Sequence, residues 1–311
     1  MNLQQLIEQY IAFRKSLGEL QGTNADSLRK FGRSIGDEAD IGDVREDQVA
    51  AFVAGPASAT RSWHHRFSVV RTFYRYAVSR HYVAAAPLPR VIPKRPPPFV
   101  PYIYSHDDLL RLLQAVASDR RHRTCLEPIT TRTILLLMYG AGLRVREVVS
   151  LNNASVDLAA SLLTIQQTKF GKNRLVPVGP QLRDILERYA SRLSAPLSDA
   201  PFFTTRRGVR VKIDTLQQNF EFFRKQAGII RNGGTGEQSR LHDLRHTFAV
   251  HRLTLWYQQG ANVNVLLPML STYLGHVHLR HTQVYLSMTP ALLHEANKRF
   301  ESYLEKEDFH V

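Results

Sequence analysis

A proline-rich segment divides this chain and limits what it can fold into. Seven of the fifteen prolines lie between Pro87 and Pro101, and Pro96, Pro97 and Pro98 are consecutive. Because proline has no amide hydrogen and a fixed φ angle, the segment can continue neither a helix nor a central strand. In a chain of 311 residues this predicts two domains, at residues 1–86 and 105–311, joined by a stiff, extended linker at 87–104.

Apolar side chains recur at helical spacing on both sides of this segment. Before it, four helices are predicted, at about residues 3–11, 25–35, 45–53 and 59–79. After it, helices are predicted at about 105–117, 129–139, 181–194, 213–226, 242–257, 263–273 and 290–303. Two β-rich runs, 162–168 and 173–178, flank a Lys-Phe-Gly-Lys turn and predict a hairpin. The expected fold class is mainly α with a small β-sheet (α+β).

The charge of the chain favours a polyanionic partner. It has 41 Lys and Arg against 27 Asp and Glu, a net charge of +14. No acidic residue occurs between Gln48 and His106, where many arginines and lysines lie. Such a stretch indicates contact with the backbone of double-stranded DNA rather than a mixed solvated face. The predicted contacts there are Arg61, Arg66, Arg71, Arg75, Lys94 and Arg95.

Cysteine content and hydropathy give the expected compartment. The single cysteine, Cys125, excludes an internal disulfide and fits a reducing cytoplasm. No stretch approaches the length of apolar sequence that a membrane span requires. The N-terminus also lacks the basic and apolar regions of an export signal. A cytoplasmic protein without membrane contact is therefore expected.

Two arginines and two histidines precede a tyrosine within the last 170 positions of the chain: Arg144, His242, Arg245, His276 and Tyr285. Guanidinium groups pair with the non-bridging oxygens of a phosphodiester, where charge builds up during cleavage. Tyrosine is a poor nucleophile unless an imidazole or a positive field helps to remove its proton. Arginine charge replaces the cations of most phosphoryl transfers, so no metal and no cofactor is predicted.

Other interpretations of these residues compete. Arg144 can simply pair with Glu147, one helical turn later, and the dipeptide His242-Asp243 occurs also in metal-dependent phosphohydrolases. His276, His278 and His281 could suggest zinc, but no cysteine or nearby acid completes a ligand set. His242 and Arg245 are expected together on the half-buried border of the apolar stripe of one helix. The tyrosines that compete with Tyr285 fall among apolar residues and are more simply core groups: Tyr257, Tyr273 and Tyr303.

Four motifs together resemble the tyrosine recombinase (phage integrase) family, with Xer-like members nearest. They are Gly-Leu-Arg at 142–144, Leu-His-Asp-Leu-Arg-His-Thr-Phe-Ala at 241–249, Leu-Gly-His at 274–276 and Thr-Gln-Val-Tyr at 282–285. Their order and most spacings agree over about residues 105–300. The stretch between Arg245 and His276, which includes Trp256–Pro268, is longer than in common members, and Arg146 stands where the family often has a small polar residue. The resemblance implies an N-terminal four-helix core-binding (SAM-like) domain followed by a catalytic domain.

The resemblance also implies roles. Arg144 and Arg245 would clamp the scissile phosphate, His242 and His276 would hydrogen-bond it and assist proton movement, and Tyr285 would form a 3′-phosphotyrosyl link. A hairpin lysine, Lys169 or alternatively Lys172, would protonate the leaving 5′-oxygen. Lys172 and Arg174, in and beside the hairpin turn, are further predicted DNA contacts.

The function that the resemblance implies is site-specific DNA recombination, in a mobile element or in chromosome or plasmid resolution. The two domains would clamp duplex DNA, and a monomer or dimer would assemble as a homotetramer on paired sites. Neighbouring subunits would exchange the segment 290–303. Whether partner recombinases take part, and whether Tyr285 attacks in cis or in trans, stays open. The alternatives are a type IB topoisomerase-like enzyme and a catalytically inactive DNA-binding regulator.

Overall fold

A computed structural model describes residues 1–18, 22–55, 61–96, 99–120, 125–166, 173–193, 197–231, 238–288 and 292–298, the side chain of Arg61 excepted. The described residues divide into two compact units, 1–96 and 99–298. Each unit has its own apolar core. Residues 80–96 contain neither helix nor strand, as the proline content requires.

The first unit is helical. Its helices are α1 (Leu3–Ser16), α2 (Gly22–Ile35), α3 (Glu46–Ala54) and α4 (Arg61–Ser79). The side chain of Asn2 accepts a hydrogen bond from the amide of Gln5 and so begins α1, while α3 ends at Gly55 with a φ of 58°. Apolar faces of all four helices meet in the core, where the rings of Trp63 and Phe67 stack at 5.1 Å. The four helices predicted for this region are confirmed, with boundaries shifted by a few residues.

The second unit contains most of the remaining helices. They are α5 (His106–Ala117), α6 (Pro128–Gly140), α7 (Val145–Val149), α8 (Pro180–Ala190), α9 (Ile213–Gln226), α10 (Asp243–Gln258), α11 (Val263–Leu274) and α12 (Arg280–Gln283), followed by a 3₁₀ turn at Val284–Ser287. Ser105 begins α5 by accepting a hydrogen bond from the Asp108 amide at 3.0 Å. Residues 292–298 are also helical, and the rest of the predicted 290–303 helix lies outside the described residues.

A small antiparallel sheet lies in the second unit. Its strands β1 (Val156–Asp157), β2 (Leu162–Ile165) and β3 (Arg174–Pro177) are ordered β1-β2-β3, with Leu162 opposite Pro177 and Ile165 opposite Arg174. The predicted pairing of β2 with β3 is confirmed, although both strands are shorter than expected. The turn that carries Lys169 and Lys172 lies outside the described residues. The two-residue strand β1 is too short for any periodicity to reveal.

The last part of the predicted linker packs within the second unit. The Tyr104 ring is fully buried, and its amide donates to Thr247 Oγ1 of α10 at 3.0 Å. The Arg240 guanidinium lies 3.6 Å from the centre of the Phe99 ring, a cation–π contact. Residues 99–104 therefore pack against α10 and the residues just before it, and they do not form a free linker.

The predicted fold class, mainly α with a small β-sheet, is confirmed by these elements. Among the helices described here, none has the length and apolar character needed to cross a bilayer.

Candidate functional site

A buried carboxylate in the second unit gathers three arginines. Glu147 of α7 accepts hydrogen bonds from Arg144 Nη1 at 2.8 Å and from both terminal nitrogens of Arg174 at 2.8 and 2.9 Å. Arg245 Nη1 lies 3.9 Å from the same carboxylate. Burial alone would raise the pKa of Glu147, but Arg174 and Arg144 outweigh it and lower the pKa to about 2. The carboxylate is therefore ionised at any physiological pH.

Arg245 is held by main-chain carbonyls. Its side chain is 1% exposed, and its Nη1 and Nη2 donate to the oxygens of Gly142 at 2.7 Å and Leu274 at 2.6 Å. Burial, with the charge of Arg144, lowers the pKa of Arg245 to about 10, so it stays protonated at neutral pH. The expected position on a half-buried border is wrong for this residue, because these carbonyls satisfy a guanidinium inside the protein.

The end of α11 fixes the second arginine. Arg144 Nη2 donates to the Gly275 oxygen at 3.1 Å, and its side chain is 37% exposed. Gly275 has a φ of 67°, and a Cβ there would lie 2.9 Å from Arg174 Nη1. A glycine is therefore required both by the left-handed backbone and by the closely packed Arg174. Because Leu274 and Gly275 bind Arg245 and Arg144, the α11 end sets the separation of the two guanidiniums.

His276 follows this turn directly. Its Nδ1 lies 2.7 Å from Thr282 Oγ1, and Thr282 is fully buried in α12. Burial, with the charges of Arg245 and Arg144, lowers the pKa of His276 to about 3. The ring is therefore neutral at physiological pH, and the contact with Thr282 fixes which way its other nitrogen, Nε2, points.

Tyr285 lies beside the histidines in the 3₁₀ turn. It is 2% exposed, its ring stacks on His276 with centroids 6.1 Å apart, and its hydroxyl lies 3.1 Å from His246 Nδ1. Burial raises the pKa of Tyr285, while the charge of Arg245 and a hydrogen bond from it act in the opposite direction. The phenol is thus protonated at rest but lies in a positive field.

His242 completes the group at the start of α10. Its half-buried ring packs edge-on to His246 with centroids 5.0 Å apart. Burial, with His246 and Arg245, lowers the pKa of His242 to about 4. The site thus combines arginines that are charged with histidines that are neutral near pH 7.

The structure brings together five of the six residues that the sequence singled out for catalysis: Arg144, His242, Arg245, His276 and Tyr285. Lys169, and its alternative Lys172, lie outside the described residues. Sequence reasoning missed His246 and Thr282, and it treated Glu147 only as a partner for Arg144 or Arg146. His246 lies four residues after His242, a spacing that places both on one helix face and could have revealed it.

The predicted DNA contacts fall into two groups. Arg71, Arg75, Lys94 and Arg95 are exposed in the first unit. Arg66 instead donates to the oxygens of Val53 and Ala54 and ends α3, and Arg174 is 11% exposed and occupied with Glu147. These placements give Arg66 and Arg174 structural tasks, whereas contact with DNA stays a prediction for all of them. The side chains of Arg61 and Lys172 lie outside the described part of the chain.

Within the described residues, no three His, Cys, Asp or Glu side chains are grouped so that they could hold a metal ion. The histidines of the site instead contact Thr282, Tyr285 and one another.

Comparison with known proteins shows the family of this chain. The model of the "Phage integrase family" matches residues 103–291. The chain is 35% identical to y4rB of Sinorhizobium fredii (strain NBRC 101917 / NGR234), named as an integrase/recombinase, over 304 residues that cover 96% of each protein. It is 29% identical to tyrosine recombinase XerC of Thermodesulfovibrio yellowstonii (strain ATCC 51303 / DSM 11347 / YP87), covering 85% of this chain and 86% of the relative.

A solved structure shares the fold. A lambda integrase tetramer bound to a Holliday junction superposes with a TM-score of 0.66 at 17% identity, covering 92% of this chain and 77% of that one. At this identity the likeness shows the fold alone. Because the family model covers most of the second unit and y4rB is similar along nearly the whole length, this chain belongs to the phage integrase family of tyrosine recombinases.

Proposed function

We propose that this protein is a site-specific recombinase that cuts and rejoins double-stranded DNA through a 3′-phosphotyrosyl link on Tyr285. The observation that carries the proposal is a surplus of positive charge beside a buried phenol. Three guanidiniums, those of Arg144, Arg174 and Arg245, surround the single carboxylate of Glu147, which leaves a net charge of 3 − 1 = +2. Tyr285 and the neutral histidines lie directly next to that surplus.

The surplus suits a phosphodiester. The ground state brings one negative charge, and further charge develops on the non-bridging oxygens as the phosphorus is attacked. Arg144 and Arg245 would receive these oxygens, since each guanidinium has five N–H donors and those not bonded to carbonyls or Glu147 remain available. Because Glu147 and the carbonyls fix both groups in advance, little reorganisation accompanies the reaction.

The remaining roles complete the cycle. His242 and His276 would donate hydrogen bonds to the phosphate from neutral rings. A lysine of the hairpin turn, Lys169 with Lys172 as the alternative, would protonate the leaving 5′-oxygen. Rejoining reverses these transfers, so the phosphodiester energy is conserved in the phosphotyrosine and no nucleotide cofactor is required.

Duplex DNA is the proposed partner, held by the exposed arginines and lysines of the first unit and by the second unit. Lambda integrase has been solved as a tetramer on a Holliday junction. We propose a corresponding homotetramer on paired sites, with monomers or dimers when free and with the segment 290–303 as the candidate for exchange between neighbours. Leu292 at the start of that helix is fully buried in the core of the second unit, which provides an anchor for such an arm. The proposed location is the cytoplasm, at the DNA.

The two rival functions are not favoured. Both y4rB, named as an integrase/recombinase, and XerC, a tyrosine recombinase, match along most of the chain, whereas a topoisomerase-like enzyme would relax DNA without exchanging partners. An inactive regulator would not require Arg144 and Arg245 to be held in place beside a tyrosine. A strand-exchange assay with two DNA sites separates recombination from relaxation.

Trapping the covalent intermediate tests the proposal. A pool of nicked duplexes of random sequence, incubated with the protein in excess chelator, should yield protein attached to 3′ DNA ends, because the nicked fragment diffuses away and prevents rejoining. Sequencing the trapped DNA would reveal the target site. The Tyr285→Phe variant should bind this DNA but form no adduct. The control Tyr273→Phe, which loses a hydrogen bond to the Pro177 oxygen, should still form it. Undiminished adduct from Tyr285→Phe would contradict the proposed nucleophile.

A further inference from the structure

His246 makes a contact with the reacting atom that the roles assigned so far do not use. Its Nδ1 lies 3.1 Å from the Tyr285 hydroxyl, within hydrogen-bond distance, and the two ring centroids are 5.6 Å apart. The half-buried ring lies on α10, one residue after Arg245 and four after His242. The helix that holds a phosphate-binding arginine thus also presents an imidazole to the tyrosine.

The other two histidines have different contacts. His276 turns its Nδ1 to Thr282 at 2.7 Å, and its ring stacks on Tyr285 rather than meeting the hydroxyl end-on. His242 packs its ring against His246 with centroids 5.0 Å apart. Of these three imidazoles, His246 is the one whose nitrogen lies at hydrogen-bond distance from the phenol oxygen in the described part of the chain.

The protonation states of His246 and Tyr285 allow His246 to act as an acceptor. Burial, with the charges of Arg240 and Arg245, lowers the pKa of His246 to about 4, so the ring is neutral near pH 7. Burial raises the pKa of Tyr285, so the phenol keeps its proton. In the tautomer that carries its single proton on Nε2, the bare Nδ1 of His246 accepts a hydrogen bond from the protonated phenol. The titratable and charged groups around His246 are His242, Arg240 and Arg245 from α10 or its start, His276 from the end of α11, and Tyr285.

We propose that His246 is a catalytic residue that orients the Tyr285 hydroxyl and takes its proton during attack on the scissile phosphate. This inference rests on the proposed function. As the Tyr285 oxygen bonds to phosphorus, the bond from phosphorus to the 5′-oxygen breaks, and the phenol proton passes to His246 Nδ1. The leaving oxygen receives a different proton, from the hairpin lysine. The arriving phosphate charge makes the imidazole more basic, and rejoining returns the proton to the phenolate.

Two variants separate holding the hydroxyl from removing its proton. In His246→Asn the amide oxygen occupies roughly the place of Nδ1, so it accepts the hydrogen bond but takes no proton. In His246→Leu both abilities are lost. Single-turnover cleavage of the trapped DNA substrate should fall by about 100-fold in His246→Leu, with a smaller loss in His246→Asn and unchanged DNA binding in both. Cleavage by His246→Leu at the unaltered rate would overturn the inference, as would equal losses in the two variants.

A substrate with sulfur in place of the 5′-bridging oxygen shows whether His246 removes the proton of the Tyr285 phenol or supplies a proton to the leaving group. Thiolate leaves without a general acid, so this substrate should rescue a Lys169 or Lys172 variant that has lost the acid. It should not rescue His246→Leu, because the phenol still needs a base. Rescue of His246→Leu would show that His246 acts on the leaving group and would overturn the inference.

His251 provides the matched control. It lies on the same helix, and its Nδ1 is 3.0 Å from the hydroxyl of Tyr139, outside the site. His251→Asn should therefore cleave at the unaltered rate. That result would exclude the explanation that loss of any histidine–tyrosine contact on α10 slows cleavage. Absence of adduct from the unaltered protein would overturn the proposed function and this inference together. Normal cleavage by both the unaltered protein and His246→Leu would overturn only the inference.

Discussion

The exposed arginines of the first unit and the buried Arg245 of the second unit place the same side chain in opposite surroundings. Arg71 and Arg75 are exposed on α4, where solvent and salt screen their charge, and the Arg71 guanidinium lies 5.8 Å from the centre of the Phe67 ring. Arg245 is 1% exposed and is fixed by two carbonyl oxygens beside Glu147. Under the proposed function, affinity for DNA requires only charge, whereas chemistry on a phosphate requires charge whose position is fixed before the substrate arrives.

The largest expected effect is on the cleavage rate, when the buried Arg245 is changed. Arg245→Lys should lower the single-turnover cleavage rate by about 1000-fold, because an ammonium cannot serve the Gly142 and Leu274 oxygens and two phosphate oxygens together. Binding, measured by mobility shift, should persist. Arg252→Lys on the exposed face of the same helix is the control and should cleave normally. An Arg245→Lys variant with near-normal cleavage would show that a fixed guanidinium fork is unnecessary.

Glu147 is expected to stabilise the buried cluster. Glu147→Gln leaves Arg174 and Arg245 with an uncompensated buried charge and should lower the free energy of unfolding by about 3–5 kcal/mol, measured by urea denaturation. The control Glu221→Gln removes an exposed pair with Lys225 and should change stability little. Equal stability losses in the two variants would remove the distinction between buried and exposed charge.

The same carboxylate predicts a dependence on pH. Its folded pKa of about 2 lies below the ordinary value of 4.5, so its contribution to stability is complete above the ordinary value and is lost as the pH falls toward about 2. The stability difference between the unaltered protein and Glu147→Gln should therefore shrink on acidification through this range. A difference that is constant from pH 6 to the acid limit would indicate that Glu147 is not held ionised by the arginines.

A smaller effect is expected where a hydroxyl orients a histidine. Thr282→Val keeps the shape of the side chain but removes the contact with His276 Nδ1, and it should lower the cleavage rate by about tenfold. Thr272→Val on α11 removes an exposed hydroxyl that donates to the Pro268 oxygen and serves as the control. If the two variants cleave alike, the orientation of His276 does not depend on Thr282.

The smallest effect on the cleavage rate is expected when the exposed arginines of the first unit are changed. The double variant Arg71→Ala, Arg75→Ala should bind DNA more weakly and reduce the slope of log affinity against log salt by about 2. Its cleavage rate at saturating DNA should not change. Arg45→Ala, an exposed arginine paired with Asp47 in the same unit, should alter neither quantity. A loss of cleavage rate at saturating DNA in the double variant would contradict the view that the exposed arginines contribute to binding alone.

Local sequence patterns predicted the main elements of this protein and most of the side chains that meet in the candidate site. The helices and the β2–β3 pairing follow from periodicity and turn residues. The five side chains that meet in the site were singled out by their chemistry and by the resemblance of short motifs, and their catalytic roles stay predictions. Arg174 shows where that reasoning stops: it reads as one more basic residue beside a turn, yet it pairs with Glu147, 27 positions earlier, and contacts the Tyr273 oxygen, 99 positions later. Such partners are set by packing across the chain. His246, by contrast, lies within the motif at 241–249, and its position four residues after His242 on a helix was enough to indicate that the two rings share one face.

The arrangement of the site around one phosphorus atom is the central claim, and a transition-state mimic tests it most directly. Crystals of the protein with its target DNA cut at the scissile position and with orthovanadate should show vanadium bonded to the Tyr285 oxygen. Arg144 and Arg245 should lie within hydrogen-bond distance of its equatorial oxygens, with His246 Nδ1 beside the tyrosine. Vanadium bonded to a different side chain, or lying beyond reach of both guanidiniums, would contradict the account.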